Sequence, residues 1–287
     1  MQAPDTGPFI DRGTLRRVLL VELNRMGDVV HALPAARGVR TWLPGAEITM
    51  MVDHRYGALT ALEPCVDRTM TSERSSTIAG LIRTAWRVRR QKFDLVCSMS
   101  PIRRNALVTM LGRTRYAAGY LSLKRRTPNF LRQNHVRSAG FQLARQTTYG
   151  YDHISEAAER VCQAPGIRMD EGVAATPPAN AEARPVADSD YIVIHPFAGW
   201  AYREWPMASV QGLIEEVLDN TPYSVAAVGG AEERDRLEYV QEPFSGTHRV
   251  QIHAGLPLDR LATLIKGAQL FIGTDSGPYQ LCARPEQ

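Results

Sequence analysis

The chain has 287 residues, 44% of them hydrophobic and 22% charged, with a formal net charge of +4. That is the make-up of an ordinary soluble globular protein of one large or two smaller domains, and no run approaches the 18 consecutive apolar residues of a transmembrane helix. The opening Met1-Gln2-Ala3-Pro4-Asp5 has neither the basic nor the apolar region of a secretory signal, and the four scattered cysteines (Cys65, Cys97, Cys162, Cys282) form no C-x-x-C pair, so they read as buried thiols of a reducing cytosol rather than zinc ligands or a disulfide framework.

In chain order, residues 17–23 are an apolar, β-rich run and 28–42 have helical periodicity, closed by Pro44-Gly45. A strand over 47–53 follows, then a short helix near 56–62, a short strand near 67–70, a basic amphipathic helix over 78–90 and a strand over 94–99. Residues 105–111 read as helix and 115–119 as strand. The alternation predicts βαβ units and a parallel sheet. Residues 121–150 are polar and basic without a clear period, long for a structureless loop, and so are expected to be a functional or mobile element. Residues 152–162 read as a helix with Asp152 near its N-cap. The stretch 171–190 is rich in alanine, proline and acidic groups; it reads as a linker between an N-terminal domain (14–170) and a C-terminal one (191–287). There the alternation restarts: strands over 191–194, 223–228, 249–252 and 269–272, with helices over 206–218, 232–240 and 258–266. The chain stops ten residues after Gly277, so this second domain is expected to be incomplete.

The small net charge hides an asymmetry. Residues 1–170 carry 26 arginines and lysines against 14 acidic residues, whereas 171–287 carry 8 against 16, and only three of the basic residues are lysine. An arginine-rich front half suits an anionic partner, because the guanidinium contacts carboxylate and phosphate bidentately. An Arg-for-Lys habit on a solvated face is the plainer alternative. No RNA- or DNA-binding motif accompanies the charge, so nucleic acid is not the expected partner.

Two matched loops carry the chemistry. Leu23-Asn24-Arg25-Met26-Gly27-Asp28 follows the first strand, and Gly273-Thr274-Asp275-Ser276-Gly277-Pro278 follows the last. Each turns through glycine and puts an aspartate where a helix should begin, the place where α/β proteins hold anions. Neither is G-x-G-x-x-G or G-x-x-x-x-G-K-[ST], which argues against a nicotinamide dehydrogenase and a P-loop ATPase.

Three segments occur in a recognisable order and spacing: VLLVELNRMGDVVHALPAARGVR (18–40), IVIHPFAGWAYREWP (192–206) with VGGAEER (228–234), and LIKGAQLFIGTDSGP (264–278). Together they resemble the bacterial ADP-heptose:lipopolysaccharide heptosyltransferases, glycosyltransferase family 9, over nearly the whole chain. The resemblance implies an α/β GT-B architecture, two Rossmann-like domains facing a cleft, with acceptor on the N-terminal side and nucleotide-sugar on the C-terminal side. It implies an inverting transfer of heptose from ADP-L-glycero-D-manno-heptose to the lipopolysaccharide inner core, an anionic lipid-linked glycan, in the cytoplasm and without a metal or other cofactor. The basic front half would also suit peripheral contact with the inner-membrane surface. A related nucleotide-sugar transferase for another surface glycan remains an alternative. So does a truncated, non-catalytic nucleotide- or glycan-binding remnant, prompted by the short tail and by Gln280, where the family usually has histidine.

By the same resemblance Asp28 is the general base that takes the acceptor hydroxyl proton; read from the residues alone it is a helix N-cap. Gly27 leaves room for the acceptor or simply makes a φ > 0 turn, and His31 lies three residues on, touching the acceptor or serving a structural role. Thr274, Asp275, Ser276 and Gly277 are expected under the nucleotide diphosphate, with Arg203 as its cation in the Arg203-Glu204-Trp205-Pro206 pattern, and Glu232 or Glu233 reaching the ribose or merely opening a helix. For the acceptor, Arg83, Arg87 and Arg125 stand out among Arg89, Arg90, Arg103, Arg104, Lys124 and Arg126, and Arg83, Arg87 and Arg90 share a helix face.

Overall fold

The computed structural model describes residues 12–72, 78–100, 104–105, 108, 114–119, 161–162 and 190–282. The chain divides into two compact units, Met1–Ala175 and Thr176–Gln287. In the first, β1 (Arg17–Glu22), α1 (Met26–Trp42), β2 (Glu47–Asp53), α2 (Gly57–Ala61), β3 (Arg68–Ser72), α3 (Ile78–Gln91), β4 (Leu95–Ser98) and β5 (Tyr116–Gly119) alternate. The five strands form a parallel sheet in the order β3-β2-β1-β4-β5. A parallel sheet covered on both faces needs apolar side chains on both, and β1 supplies them by alternation. Val18 and Leu20 pack with Val29, Leu33 and Val39 of α1, while Leu19 and Val21 pack with Val88 of α3. Each such buried aliphatic side chain contributes about 1.5–3 kcal/mol, so the tip of β1 is fixed from both sides.

The second unit repeats the scheme with β6 (Tyr191–His195), α4 (Met207–Asn220), β7 (Ser224–Gly229), α5 (Arg234–Gln241), β8 (Val250–Ala254), α6 (Leu258–Gly267), β9 (Leu270–Gly273) and α7 (Gly277–Gln280). Its four strands are parallel, in the order β8-β7-β6-β9. Ile192 and Ile194 meet Val210, Ile214 and Val217 of α4 in its main core. Two parallel α/β units in succession are the organisation that the GT-B resemblance implies. In each sheet the strand order reverses beside a central strand, between β1 and β4 and between β6 and β9. Ligands of open α/β sheets bind outside the carboxyl ends of the strands at such a reversal.

Most predicted boundaries shift by a residue or two, and three of the differences bear on the loops. The strand predicted over 17–23 ends at Glu22. The helix expected from Asp28 starts at Met26, whose side chain is buried and draws the first turn into the core. The helix expected over 232–240 is split: Ala231–Glu233 is a 3-10 turn and α5 begins at Arg234. All four cysteines are free, and three are buried. No described helix is long and apolar enough to cross a membrane. The stretches 121–150 and 171–189, and most of the helices predicted over 105–111 and 152–162, lie outside the described residues.

Candidate functional site

The first constellation stands at the β1–β4 reversal. Arg25, in extended conformation, precedes the first helical residue, so Asp28 is the third residue of α1 and not its N-cap. Its Oδ2 instead reaches back to accept the Arg25 N–H at 3.1 Å, which satisfies one of the four donors that a helix start leaves open. Burial raises the Asp28 pKa above the ordinary carboxylate value, opposed by the Arg25 N–H bond, by His31 and by the Arg25 charge. A partly buried carboxylate of raised basicity, with one oxygen tied and the other available, is what proton abstraction from a hydroxyl needs. Gly27 lies within the helical first turn, and among the described glycines Gly255 is the one with positive φ, so Gly27 is not a left-handed turn residue; what it contributes is the missing side chain. His31 is half-buried on the same helix, near enough to Asp28 to stabilise its charge.

Sequence reasoning missed Glu22. It ends β1 with 1% of its surface exposed, and its Oε1 accepts the Asn24 N–H at 3.0 Å. Burial first, and then the neighbouring Asp28 charge, pushes its pKa up to about 8, against opposing hydrogen bonds from Asn24 and Ser100. Around it lie the buried side chains of Ser98, Ser100 and Asn105. The Asn105 amide donates to both the Ser100 hydroxyl and the Val21 carbonyl at 3.1 Å. The signal was present in the sequence as a lone ionisable residue closing an apolar strand.

The acceptor arginines are less concentrated. Arg83, Arg87, Arg89 and Arg90 are exposed along α3 beside exposed Ile82 and Trp86. Arg90 stacks on Trp86 with its guanidinium carbon 4.6 Å from the ring centre, and Arg87 donates to the Thr71 carbonyl. Arg104 donates to Ser72 Oγ at 2.9 Å. Arg103, Lys124, Arg125 and Arg126 lie outside the described residues.

The second constellation stands at the β6–β9 reversal. Thr274 is buried, and its hydroxyl donates to the Phe197 carbonyl while its N–H donates to the His195 carbonyl, so it ties one strand tip to the other. Gly273 lets the two tips meet: a Cβ there would stand 2.8 Å from the His195 carbonyl oxygen and from the Phe271 ring. Ser276 Oγ lies 3.2 Å from His195 Nδ1 and donates to the Thr274 carbonyl. His195, missed in the sequence reading, is buried at the end of β6, and burial lowers its pKa to about 4, so the imidazole is neutral at neutral pH. Arg203 and Asp275, both well exposed, form an ion pair at 3.9 Å, which brings the expected cation to the loop that contains Ser276 and Gly277. α7, which opens at Gly277, is only four residues long.

At the tip of β7, Glu233 takes the Gly230 N–H and, being partly buried, has a raised pKa. Glu232 is exposed, so of the two it is the one that presents an unburied carboxylate. Glu204 bonds to Arg236 at 2.8 Å, and Arg236 lies 4.8 Å over the Phe197 ring, which joins the β7 tip to the β6 tip. An Asp-x-Asp run does occur, Asp188-Ser189-Asp190, but Asp190 precedes β6, at the end of the strand away from His195, and its carboxylate accepts the Gln269 side chain.

Residues 81–283 match the family described as Glycosyltransferase family 9 (heptosyltransferase). The chain is 24% identical over 280 aligned positions to "Lipopolysaccharide heptosyltransferase 1" of Pseudomonas aeruginosa, covering 93% of this chain and 75% of that protein. Its fold is similar to the solved E. coli heptosyltransferase WaaC with ADP-2-deoxy-2-fluoro heptose (TM-score 0.76, 20% identity, 93% of this chain and 85% of the other). It is also similar to E. coli ADP-heptose lps heptosyltransferase II (TM-score 0.74, 15% identity, 93% and 81%).

Proposed function

The chain belongs to glycosyltransferase family 9, and from that premise we propose that it moves heptose from ADP-L-glycero-D-manno-heptose to a hydroxyl of the lipopolysaccharide inner core, with inversion at the anomeric carbon. The observation that carries this reading is Asp28, a half-buried carboxylate of raised basicity on the first turn of α1, at the strand reversal of its sheet. Its available oxygen takes the acceptor proton as the acceptor oxygen attacks. The carbon–oxygen bond to ADP breaks as the new glycosidic bond forms, and the nucleotide leaves with the bonding pair. Its departing charge falls to Arg203 and to the backbone amides around Ser276 and Gly277, with Glu232 at the ribose. No metal or other cofactor is assigned to this transfer; the diphosphate is neutralised by the chain's own groups. His31 and Gly27 flank the acceptor hydroxyl, and Arg83, Arg87 and Arg125 serve the anionic acceptor.

We place the reaction in the cytoplasm at the inner-membrane surface. The exposed Ile82 and Trp86 among the arginines of α3 support that contact, since an amphipathic side chain at an interface and basic residues near anionic lipid each favour it. The test is ADP release from ADP-heptose with a Kdo-terminated acceptor, with EDTA present. Asp28→Asn is expected to lower kcat by roughly 10²–10⁴-fold, the range for loss of a general base, with ADP affinity unchanged. Turnover undiminished in that variant removes Asp28 from its role, and turnover abolished by EDTA removes the metal-free reading.

A further inference from the structure

The turn between β1 and α1 is held at two successive peptides by two carboxyl groups. The Asn24 N–H goes to Glu22 on the strand side, at 3.0 Å, and the Arg25 N–H goes to Asp28 on the helix side, at 3.1 Å. Asp28 is only half-buried, as a group that meets substrate must be, whereas Glu22 has 1% of its surface exposed and does not reach substrate. Beneath Glu22 the hydroxyl of Ser100 bonds to its carboxyl, and Asn105 holds that hydroxyl while also donating to the Val21 carbonyl. A line of buried polar groups thus runs from the end of β4, through Glu22, to the turn that presents Asp28. A carboxylate buried this deeply costs several kcal/mol or takes up a proton.

We propose that Glu22 is a positioning residue for Asp28, a buried clamp that fixes the Asn24–Arg25 turn from the strand side and so sets where the base stands. This rests on the reading of Asp28 as the base. In its protonated form the Glu22 carbonyl oxygen accepts the Asn24 N–H and its hydroxyl bonds to Ser100, leaving Asp28 as the single negative charge of the pair. Among the described residues, the charged groups that act on them are few. Arg25 and His31 act on Asp28 from the turn and from α1. At the end of the adjoining strand β2, Asp53 is engaged by Arg55 at 2.9 Å and His54 at 3.1 Å. Ionising Glu22 would place a second negative charge beside Asp28 and reverse the Ser100 bond, the Ser100 hydroxyl then donating to the carboxylate.

The experiment compares Glu22→Gln, Glu22→Ala and Asp28→Asn in the full chain by pH profiles of ADP release, by thermal melting and by amide exchange of residues 23–25. The amide of Glu22→Gln reproduces both bonds of the neutral acid. That variant is expected to stay within about threefold of wild type at pH 7 and to lose the alkaline inflection that Glu22 ionisation gives near pH 8. Glu22→Ala is expected to lower kcat by roughly 10–100-fold, the scale of losing correct placement of a reacting group, with KM for the donor unchanged and faster exchange at 23–25. The clamp is overturned if Glu22→Ala turns over and exchanges like wild type, or if Glu22→Gln is as impaired as Glu22→Ala or keeps the inflection. Loss of turnover in Asp28→Asn alongside a silent Glu22→Ala would defeat the clamp and spare the base; full turnover in Asp28→Asn would defeat the base itself. Exchange at 23–25 reads the clamp even in a preparation without turnover.

Discussion

At the tip of β1 the backbone donors of the turn are taken by the carboxyl groups of Glu22 and Asp28. At the tips of β6 and β9 the ties run the other way: hydroxyls of Thr274 and Ser276 donate to carbonyls, and a neutral imidazole sits beside Ser276. The first arrangement sets one proton-accepting carboxylate, Asp28, beside a buried carboxyl group that keeps its proton at neutral pH. The second ties the loop together through hydroxyls, carbonyls and one neutral ring, while the exposed cation Arg203 makes a long contact with Asp275 and lies over the Tyr202 ring. The same α/β frame therefore carries two poles, one suited to removing a proton and one suited to receiving a diphosphate. The overall charge asymmetry of the chain does not predict this: the net-basic half holds the carboxylate pair, and the net-acidic half holds Arg203. Local burial and hydrogen bonding decide what each tip can do.

The sharpest way to separate the poles is a crossed measurement. Asp28→Asn should lower kcat by roughly 10²–10⁴-fold and leave ADP binding intact. The next largest effect is on stability, and the two poles should respond to pH with opposite sign. Glu22 has a folded pKa of about 8 against an ordinary 4.5. Between those values the native state keeps a proton that the unfolded chain has lost, so stability falls as pH rises through that window and levels off above it. At pH 7 the cost is about 3 kcal/mol, and Glu22→Gln should remove it, giving a flatter stability curve on the neutral and alkaline side. His195 has a folded pKa of about 4 against an ordinary 6.5. There the unfolded chain binds the proton first, so stability is lost as pH falls from 6.5 towards 4, and His195→Gln should relieve that loss. Hydrogen exchange resolved by unit would read the two slopes separately. Slopes of the same sign in both units would erase the distinction.

Donor affinity comes third. Arg203→Ala should weaken ADP by about 10-fold to 100-fold, the worth of one charge-assisted contact to phosphate. Arg203→Lys should recover part of it, because the charge returns without the planar fork. Calorimetric titration with ADP measures both, and an unchanged Kd in Arg203→Ala would move the cation's role elsewhere.

How much of this could be read before the structure differs between the poles. The strand–helix alternation and both glycine-containing loops were legible, because periodicity and loop chemistry are local; Asp28 and Arg203 were singled out by the family resemblance, and their roles are proposals. The helical register of Asp28 was not: a buried Met26 pulls the helix start two residues forward and turns an expected cap into a third-position carboxylate that reaches back. Glu22 carried no functional reading in the sequence, where it was one residue of the strand predicted over 17–23. Its burial comes from pairing with β2 and β4 and from Ser100 and Asn105, some 80 residues away. His195 was hidden for the same reason, since its partner Ser276 is 81 residues distant. Thr274 was expected beneath the diphosphate; its hydroxyl is instead spent inside the loop on Phe197, which follows only from knowing that β9 lies beside β6.

The smallest effect tests that last point. Ser276 Oγ bridges His195 Nδ1 and the Thr274 carbonyl, both at 3.2 Å, the long end of useful hydrogen bonds. Ser276→Ala removes both and leaves a buried imidazole nitrogen without that partner, so a loss of about 0.5–1.5 kcal/mol is expected in denaturant unfolding. If the hydroxyl is only a brace for the loop, ADP affinity follows stability and barely moves. If it also meets the diphosphate, Kd rises several-fold at temperatures where the variant is fully folded. The donor reading requires the second result, and Ser276→Ala binding ADP as tightly as wild type would leave Ser276 a structural tie like Thr274, with the phosphate held by the amides and Arg203 alone.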